Sequence, residues 1–257
     1  MNVRLRRTLE TMDLDDPQTT AARRSVIQQK RLLRDIYRDW YAAIAEALPP
    51  GDEPILELGS GAGFMRTHID RVIASDILAV PELDLVLDAC SIPLANGSLR
   101  AIVMTNVLHH VRDVSAFLDE ATRVVRPGGA IVMIEPWVTP WSRFVYGWLH
   151  HEPFDPNAAD WNISGDGPLS GANSALPWIL FERDRVLLER SFPAWEITSI
   201  DSGMPLRYML SGGPCWPGLV PAWSSDAWRW LEMRLRPFGN TIGMFARIVL
   251  RRSGAPS

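Results

Sequence analysis

The sequence predicts an α/β protein built on an open, doubly wound parallel sheet. Between residues 54 and 135, five short apolar runs alternate with stretches of helical periodicity. The runs are unbroken rather than interleaved with polar residues, as is typical of strands buried on both faces of a parallel sheet. With 257 residues, 47% of them hydrophobic, the chain is long enough for one large domain with a full core.

The first predicted element is an N-terminal helix. Residues 1 to about 18 are polar and lack periodicity, whereas apolar side chains recur at steps of three and four between residues 21 and 48. Pro49, Pro50 and Gly51 end this pattern. We therefore expect residues 1–49 to form a tail and a helix that packs on the main domain.

Strands and helices then follow in alternation. The predicted strands are residues 54–58, 72–75, 83–87, 101–106 and 130–135. A helix is predicted for residues 113–125, after which Arg126-Pro127-Gly128-Gly129 should end the helix and turn the chain back. Residues 50–137 are thus expected to form the core of the fold.

The composition changes in the C-terminal half, where ten of the eleven tryptophans lie from Trp137 onward. Helical patterns at 142–151, 181–192 and 224–235 and strand patterns at 195–200 and 243–251 follow. We expect residues 138–257 to cover the carboxyl edge of the sheet and to add its final two strands. Within them, residues 204–223 are apolar and broken by prolines, which suits an internal lid or a contact with a membrane surface.

Charge and cysteine content exclude several function classes. The net charge of −4 gives no electrostatic reason to bind nucleic acid. Cys90 and Cys215 lie far apart and form no C-x-x-C pattern, so neither a disulfide framework nor a thiolate metal site is indicated. Because no secretory signal is visible and no apolar stretch reaches the ~18 residues of a membrane span, we expect a cytoplasmic protein without a transmembrane segment.

A glycine-rich turn, LELGSGAGF at residues 56–64, follows the first predicted strand. Gly59, Gly61 and Gly63 remove side chains where the backbone would meet a ligand. In the dinucleotide fingerprint G-x-G-x-x-G the third glycine would fall on Phe64, which argues against a pyrophosphate cofactor. Glu57, two residues before the first glycine, would repel phosphates and suits a cationic ligand.

Two further acids close the next two predicted strands. Asp76 follows the second strand, where a carboxylate can accept hydrogen bonds from both hydroxyls of a ribose. Asp88 follows the third strand and can accept a hydrogen bond from the exocyclic amine of an adenine. Together with Glu57 and the glycine turn, these acids describe a site for an uncharged or cationic nucleoside.

The motifs of residues 50–137 resemble those of a known family. ILELGSGAGF, VIASDI, LVLDACSIPLANGSL, AIVMTNVLHHV and ATRVVRPGGAIVMIEP occur in this order. They are similar to the successive motifs of class I S-adenosylmethionine-dependent methyltransferases, specifically the small-molecule type 11 group. The resemblance implies a Rossmann-like, seven-stranded sheet whose last strand is antiparallel. It also implies S-adenosylmethionine as cofactor and S-adenosylhomocysteine as product.

Carried over by position, the resemblance assigns a role to each cofactor-binding residue. The turn of Gly59, Ser60, Gly61 and Gly63, supported by Glu57, is expected to bind the methionine part of the cofactor. Asp76 with Ile77 is expected to bind the ribose, and Asp88 with Ala89 the adenine. Asn106 is expected to lie near the sulfonium. The segment between Gly63 and Val72 is short and leaves room for a first helix of only about two turns, which affects the expected reach of Asp76.

The sequence after the fourth strand bears on the methyl acceptor. Residues 106–109, Asn-Val-Leu-His, lack the prolines and the aromatic of the N/D-P-P-Y/F motif of nucleic-acid and protein amide methylases, and no acidic metal ligands lie there. We expect metal-independent, in-line methyl transfer to a small-molecule or lipid-linked metabolite, for example a hydroxyl in glycan or secondary-metabolite biosynthesis. The alternative is a catalytically inactive protein that uses the same fold for binding or assembly. An NAD-linked oxidoreductase is disfavoured by Phe64.

Three histidines are candidates for a general base. His109 and His110 come just after the fourth strand, where either could act as a base or the pair could open a helix and pack against it, and His151 belongs to HHEPFDP at residues 150–156. That segment brings His151, Glu152 and Asp155 together in a loop that could supply a base, a metal site or only a turn. We expect no metal site.

Overall fold

A computed structural model describes residues 13, 15–148, 153–163, 167, 169 and 171–254 of the chain. Seven strands form one mixed sheet in the order β3-β2-β1-β4-β5-β7-β6. The first five strands in the chain run parallel, and β7 is antiparallel to both β5 and β6. The strands are β1 (Ile55–Leu58), β2 (Val72–Asp76), β3 (Leu85–Val86), β4 (Leu99–Thr105), β5 (Val125–Pro136), β6 (Trp195–Gly203) and β7 (Phe245–Arg252). The predicted doubly wound sheet with an antiparallel last strand is confirmed.

The N-terminal helix is two helices rather than the single one predicted. Helix α1 spans Pro17–Gln29 and α2 spans Arg31–Ala47, and the backbone of Lys30 between them is extended. The Lys30 side chain donates hydrogen bonds to the carbonyls of Ser211 (3.2 Å), Gly213 (2.6 Å) and Trp216. The break is therefore tied to contacts almost two hundred residues away, which a local periodicity does not reveal.

Helices cover both faces of the sheet. On one face α2 buries a stripe of Leu33, Ile36, Trp40 and Ile44 against the strands. On the other face lies α3 (Val114–Val124), whose Phe117 and Leu118 are fully buried. Asp113 caps α3, since its side chain accepts a hydrogen bond from the Ala116 amide.

Two local predictions were wrong. The segment after the glycine turn forms only a 3₁₀ turn, Met65–Thr67, because the Phe64 ring is buried against α2 and the chain reaches β2 within eight residues. Helix α3 ends at Val124, close to its predicted end, but residues 126–129 lie within β5, which begins at Val125 and is irregular there. In the pairing of β4 with β5, Val125 lies opposite Leu99 and Ala130 lies opposite Ala101, so a step of five residues in β5 matches a step of two in β4.

The C-terminal half supplies the remaining helices. They are α4 (Pro140–Trp148), α5 (Leu176–Trp178) continued by a π-helical turn at Ile179–Arg183, α6 (Arg185–Ser191), α7 (Arg207–Ser211), α8 (Ser225–Leu235) and α9 (Gly239–Ile242). Residues 204–223, called the cover segment below, pack on α2 through Tyr208, Met209 and Val220. Among the described residues, no helix is long and apolar enough to cross a membrane.

A buried ion network fixes the cover segment. Arg207 donates to Glu232 of α8 (2.5 Å) and to Asp39 of α2 (2.7 Å). Glu232 also accepts the amide protons of Leu206 and Arg207 through its second oxygen. Both Arg207 and Glu232 are almost fully buried, and a buried charge held by several partners is costly to disturb. This network joins α2, α7 and α8 into one unit above the sheet.

Candidate functional site

A cavity of about 830 Å³ lies at the carboxyl ends of β1, β2 and β4, within the size range of ligand pockets. The glycine turn, the strand ends, α1, α2 and the cover segment form its walls. Of the predicted site residues, those that line it are Glu57, Gly59, Gly63, Asp76, Ile77, Asp88, Ala89, Asn106, His109 and His110. Ser60 and Gly61 do not line the cavity, but each donates a hydrogen bond to a residue that does, Ser60 to Glu57 and Gly61 to Asp76.

Packing within the protein explains why the turn needs its glycines. Gly59 has a left-handed φ of 66°, and a Cβ there would overlap the Val107 side chain. A Cβ on Gly63 would come within 2.7 Å of the Tyr41 hydroxyl, which accepts a hydrogen bond from the Phe64 amide. The turn is thus clamped between α2 and the chain that leaves β4, and its backbone faces the cavity.

Glu57 lies at the base of the turn and is almost fully buried. The Ser60 hydroxyl donates a 2.6 Å hydrogen bond to one of its carboxylate oxygens. Burial raises the pKa of Glu57 to about 7, because desolvation disfavours the ionised form. A cation in the cavity would favour the ionised carboxylate, so the charge of Glu57 is coupled to the ligand.

Asp76 and Asp88 stand at the ends of neighbouring strands. The two carboxylate oxygens of Asp76 accept the amide protons of Gly61 (3.0 Å) and Leu78 (2.9 Å), and burial raises its pKa. Asp88 accepts the Cys90 amide proton (2.8 Å) and so closes a turn while it lines the cavity. Both carboxylates are held by backbone amides in fixed positions, and each oxygen retains capacity to accept from a ligand hydroxyl or amine.

Two polar atoms of the cavity wall have no hydrogen-bond partner among the described residues. They are Nε of Arg23, on α1, and Oγ1 of Thr105, at the end of β4, and both are buried. Arg23 also forms no ion pair within the described part of the chain, whereas its neighbour Arg24 pairs with Glu82 at 2.5 Å. Buried polar groups are nearly always paired in native proteins. Five other buried polar atoms also lack a hydrogen-bond partner among the described residues, but only the atoms of Arg23 and Thr105 belong to residues that line the cavity, where a polar ligand can pair with them. No signal in the sequence distinguishes Arg23 from Arg24.

A histidine and a glutamate form a buried pair beside the end of β4. Glu135, fully buried at the end of β5, accepts the amide protons of Val107 and Leu108 with one oxygen, both at 2.8 Å. Its other oxygen lies 2.7 Å from Nδ1 of His109, whose ring lines the cavity. A carboxylate at Nδ1 favours the tautomer that carries its proton there and makes Nε2 the basic nitrogen. Glu135 was not among the predicted site residues, although it closes an apolar strand as Asp76 does.

The other base candidates differ in position. His110 lines the cavity, lies with its ring centroid 4.2 Å from that of His109, and has Nδ1 3.1 Å from the Gly171 carbonyl oxygen. His151 and Glu152 lie outside the described residues. Asp155 is exposed, accepts the Asn157 amide proton and does not line the cavity, which is the behaviour of a turn residue. Within the described ranges, no group of three His, Cys, Asp or Glu residues could hold a metal ion.

The opposite wall of the cavity is apolar and aromatic. Tyr208 of the cover segment packs edge-on against Phe245 of β7, with ring centroids 4.9 Å apart. Val145, Met209 and Met244 complete this wall. The cavity therefore has one polar side at the strand ends and one apolar side beneath the cover segment.

Comparison with known proteins identifies the domain. Residues 56–133 match the family described as a methyltransferase domain. The chain is 31% identical over 144 residues to a demethylmenaquinone methyltransferase of Beutenbergia cavernae, covering 49% of the chain and 60% of the relative. It is 28% identical over 127 residues to an uncharacterized methyltransferase of Mycobacterium sp. (strain KMS), covering 44% of the chain and 50% of the relative. The chain thus matches 50–60% of the length of these relatives.

Solved structures share the fold across most of the chain. The geranyl diphosphate C-methyltransferase of Streptomyces coelicolor A3(2), solved with Mg²⁺, geranyl diphosphate and S-adenosyl-L-homocysteine, superposes with a TM-score of 0.54 at 12% identity, covering 93% of this chain and 86% of that one. A chain from the complex of the Haloferax volcanii Trm112 methyltransferase activator gives a TM-score of 0.56 at 17% identity, covering 95% and 98%. These likenesses concern the fold alone.

Residues 56–133 match a methyltransferase domain, and the sheet has the strand order that a class I S-adenosylmethionine-dependent methyltransferase domain implies. The resemblance seen in the motifs of residues 50–137 is confirmed, since the family match covers residues 56–133 and the sheet has the expected strand order.

Proposed function

We propose that the protein transfers a methyl group from S-adenosylmethionine to a small-molecule or lipid-linked acceptor, with His109 as general base. The observation that carries this proposal is the buried pair of His109 and Glu135, which lines the same cavity as the glycine turn and Asp76. A base is needed only when the acceptor must lose a proton, as a hydroxyl does. The proposed acceptor group is therefore a hydroxyl or another acidic group.

The charged and polar groups of the cavity support S-adenosylmethionine as its ligand. The proposed contacts are the turn at Gly59 and Gly63 and the carboxylate of Glu57 for the methionine part, Asp76 for the ribose, and Asp88 with Ala89 for the adenine. Arg23, whose buried Nε has no partner among the described residues, is the proposed counter-ion of the methionine carboxylate. S-adenosylmethionine supplies an electrophilic methyl group bonded to a sulfonium, and loss of that methyl group leaves a neutral thioether.

The protein contributes orientation, exclusion of water and a proton acceptor. Glu135 fixes the ring of His109 and stabilises the imidazolium that forms when Nε2 takes the acceptor proton. Asn106, at the end of β4, lies on the cavity wall between the cofactor side and the histidine. The cover segment closes the site from above and limits access of water. None of these roles needs a metal ion.

The apolar wall bears on the acceptor. Tyr208, Phe245, Met209 and Met244 offer aromatic and thioether surface to a ring or an isoprenoid-like chain. One relative is named a demethylmenaquinone methyltransferase, which supports an apolar, quinone-like acceptor. A largely apolar, hydroxylated metabolite is the proposed substrate class.

Calorimetry followed by transfer assays tests the proposal. The wild type should bind S-adenosylmethionine and S-adenosylhomocysteine, and Asp76→Ala should weaken both. With hydroxylated quinol-like and phenolic acceptors and labelled cofactor, His109→Ala should lose about a hundredfold in transfer rate while cofactor affinity stays within about twofold. Absence of binding to both cofactor forms would overturn the proposal, and unimpaired transfer by His109→Ala would overturn the role of the base.

A further inference from the structure

The cover segment ends in a stretch that is apolar and yet exposed. Residues 214–223, Pro-Cys-Trp-Pro-Gly-Leu-Val-Pro-Ala-Trp, contain no charged side chain. Within them Trp216, Leu219 and Trp223 are 55%, 68% and 78% exposed. Single exposed apolar residues are ordinary on a protein surface, but a run that holds two tryptophans is not. This run presents large apolar side chains to the outside of the molecule.

The exposed apolar surface continues along α8. Trp230 and Met233 are three residues apart on α8, which places them on one side of that helix, and Trp223 lies in the 3₁₀ turn Ala222–Ser224 directly before it. Trp230 and Met233 are both more than half exposed, whereas Ser225 and Glu232 on the other side are buried. We call the set of Trp216, Leu219, Trp223, Trp230 and Met233 the tryptophan surface.

Basic side chains border this surface. Arg234 stacks over the Trp230 ring, with its guanidinium carbon 5.1 Å from the ring centroid. Neither Arg234 nor Arg236 forms an ion pair with any residue that the structure describes, although the whole chain carries a net charge of −4. The exposed carboxylate of Asp226 on the same helix is paired with Arg31 at 3.5 Å. Among the described residues, Arg234 and Arg236 therefore supply the charges without an ion-pair partner at the C-terminal end of α8, as in surfaces that bind anionic headgroups.

The tryptophan surface is also part of the cavity wall. Trp216, Pro217 and Leu219 are exposed to the outside and line the cavity as well. A molecule that lay against the outside of this stretch would be one side chain away from the site. Lys30 holds the start of this stretch, since its Nζ donates to the carbonyls of Gly213 and Trp216, and the stretch is thereby anchored in the fold.

We infer that the tryptophan surface docks on a lipid bilayer and that an apolar acceptor enters the cavity from the bilayer beneath the cover segment. Indole rings favour the boundary between headgroups and acyl chains, and arginines beside them favour anionic headgroups. The docking itself stands independently of the proposed methyl transfer. Only the delivery of the acceptor rests on that function.

Vesicle flotation with the full chain tests the docking without any cofactor. The wild type should float with phosphatidylcholine vesicles that contain a third phosphatidylglycerol, and less with phosphatidylcholine alone. The double variant Trp223→Ser/Met233→Ser should lower the bound fraction at least about fivefold, because both side chains then lose apolar burial in the bilayer and neither residue lines the cavity. Leu187→Ser is the matched control, because Leu187 is 55% exposed on α6, which packs on the opposite face of the sheet. This substitution should leave the vesicle-bound fraction unchanged.

Three results would overturn the docking. In the first, the wild type floats with neither kind of vesicle. In the second, the double variant floats as the wild type does. In the third, the wild type is a dimer in gel filtration, the double variant is a monomer, and vesicles bind neither protein. Unchanged binding of S-adenosylhomocysteine by the double variant would verify its fold. If vesicles bind the wild type and no acceptor is methylated, the proposed function fails while the docking stands.

Discussion

Glu135 and His109 are joined across two neighbouring parallel strands, with 2.7 Å between the carboxylate oxygen and Nδ1. Thr105 of β4 lies opposite Ile134 of β5, Glu135 follows directly after Ile134, and His109 lies four residues after Thr105 in the 3₁₀ turn Leu108–His110. Glu135 also accepts two amide protons from the chain that leaves β4. The same carboxylate thus orders the backbone around Asn106 and aims the imidazole.

Substituting Glu135 by glutamine should separate these two tasks. The side-chain amide oxygen can still accept from the Val107 and Leu108 amides, but the negative charge that stabilises the imidazolium is lost. We expect Glu135→Gln to lower the methyl transfer rate by about a hundredfold and to leave cofactor affinity within about twofold. Single-turnover transfer and calorimetry measure the two quantities, and a proportionate loss of both would show that Glu135 acts through the cofactor site instead.

Arg23 and Arg24 are neighbours on α1, but we expect only Arg23 to contribute to cofactor binding. Arg23→Ala should weaken binding of S-adenosylmethionine by about tenfold or more, because a charge-assisted hydrogen bond to the carboxylate contributes about 1.5–3 kcal/mol. Arg24→Ala should change the affinity little, since Arg24 pairs with the exposed Glu82. Equal effects of the two substitutions in calorimetry would remove Arg23 from the proposed site.

The raised pKa of Glu57 has a consequence for stability. Its pKa is about 7 in the folded chain, against an ordinary value of 4.5, so between these pH values the folded protein holds a proton that the unfolded chain has lost. The free energy of unfolding should therefore fall as the pH rises from 4.5 to 7, by an amount on the order of 3 kcal/mol from this group. Urea unfolding at pH 5 and pH 7.5 should show that Glu57→Gln loses this part of the pH dependence. A wild type and variant with the same pH profile would contradict the assignment.

The same carboxylate should couple cofactor binding to pH. A cation bound near Glu57 favours its ionised form, so binding near pH 6.5 should release protons from the wild type. Calorimetry in buffers of different ionisation enthalpy counts those protons. Glu57→Gln should release fewer, and an unchanged proton release in the variant would place the linked group elsewhere.

Tyr41 supports the glycine turn through a single hydrogen bond. Its hydroxyl accepts the Phe64 amide proton at 3.0 Å, and Tyr41→Phe would leave that buried amide without its partner. We expect a loss of about 1–2 kcal/mol in the free energy of unfolding. Tyr37→Phe is the control, because the Tyr37 hydroxyl makes no hydrogen bond to a described residue. Chemical denaturation of both variants provides the measurement, and equal losses would contradict the prediction.

Local sequence features predict the sheet and the polar side of the site. An unbroken apolar run reports burial on both faces, and an acid directly after such a run must lie at the carboxyl edge, as Asp76 and Asp88 do. The same rule applies to Glu135. In contrast, the break in the helix at Lys30 depends on carbonyls of the cover segment. The proposed role of Arg23 in the site depends on the pairing of its neighbour Arg24 with Glu82. Contacts between residues distant in the chain decide both, and no periodicity records them.

Lys30 is the chain's single lysine, and burial lowers the pKa of its amine to about 8. Apart from the α-amino group, the protein therefore offers amine-reactive reagents one target, at the junction of α1, α2 and the cover segment. The amine donates to three backbone carbonyls of the cover segment, and these hydrogen bonds must loosen before Nζ can react. The rate of acylation at Nζ should consequently report how firmly the cover segment is held against the junction of α1 and α2.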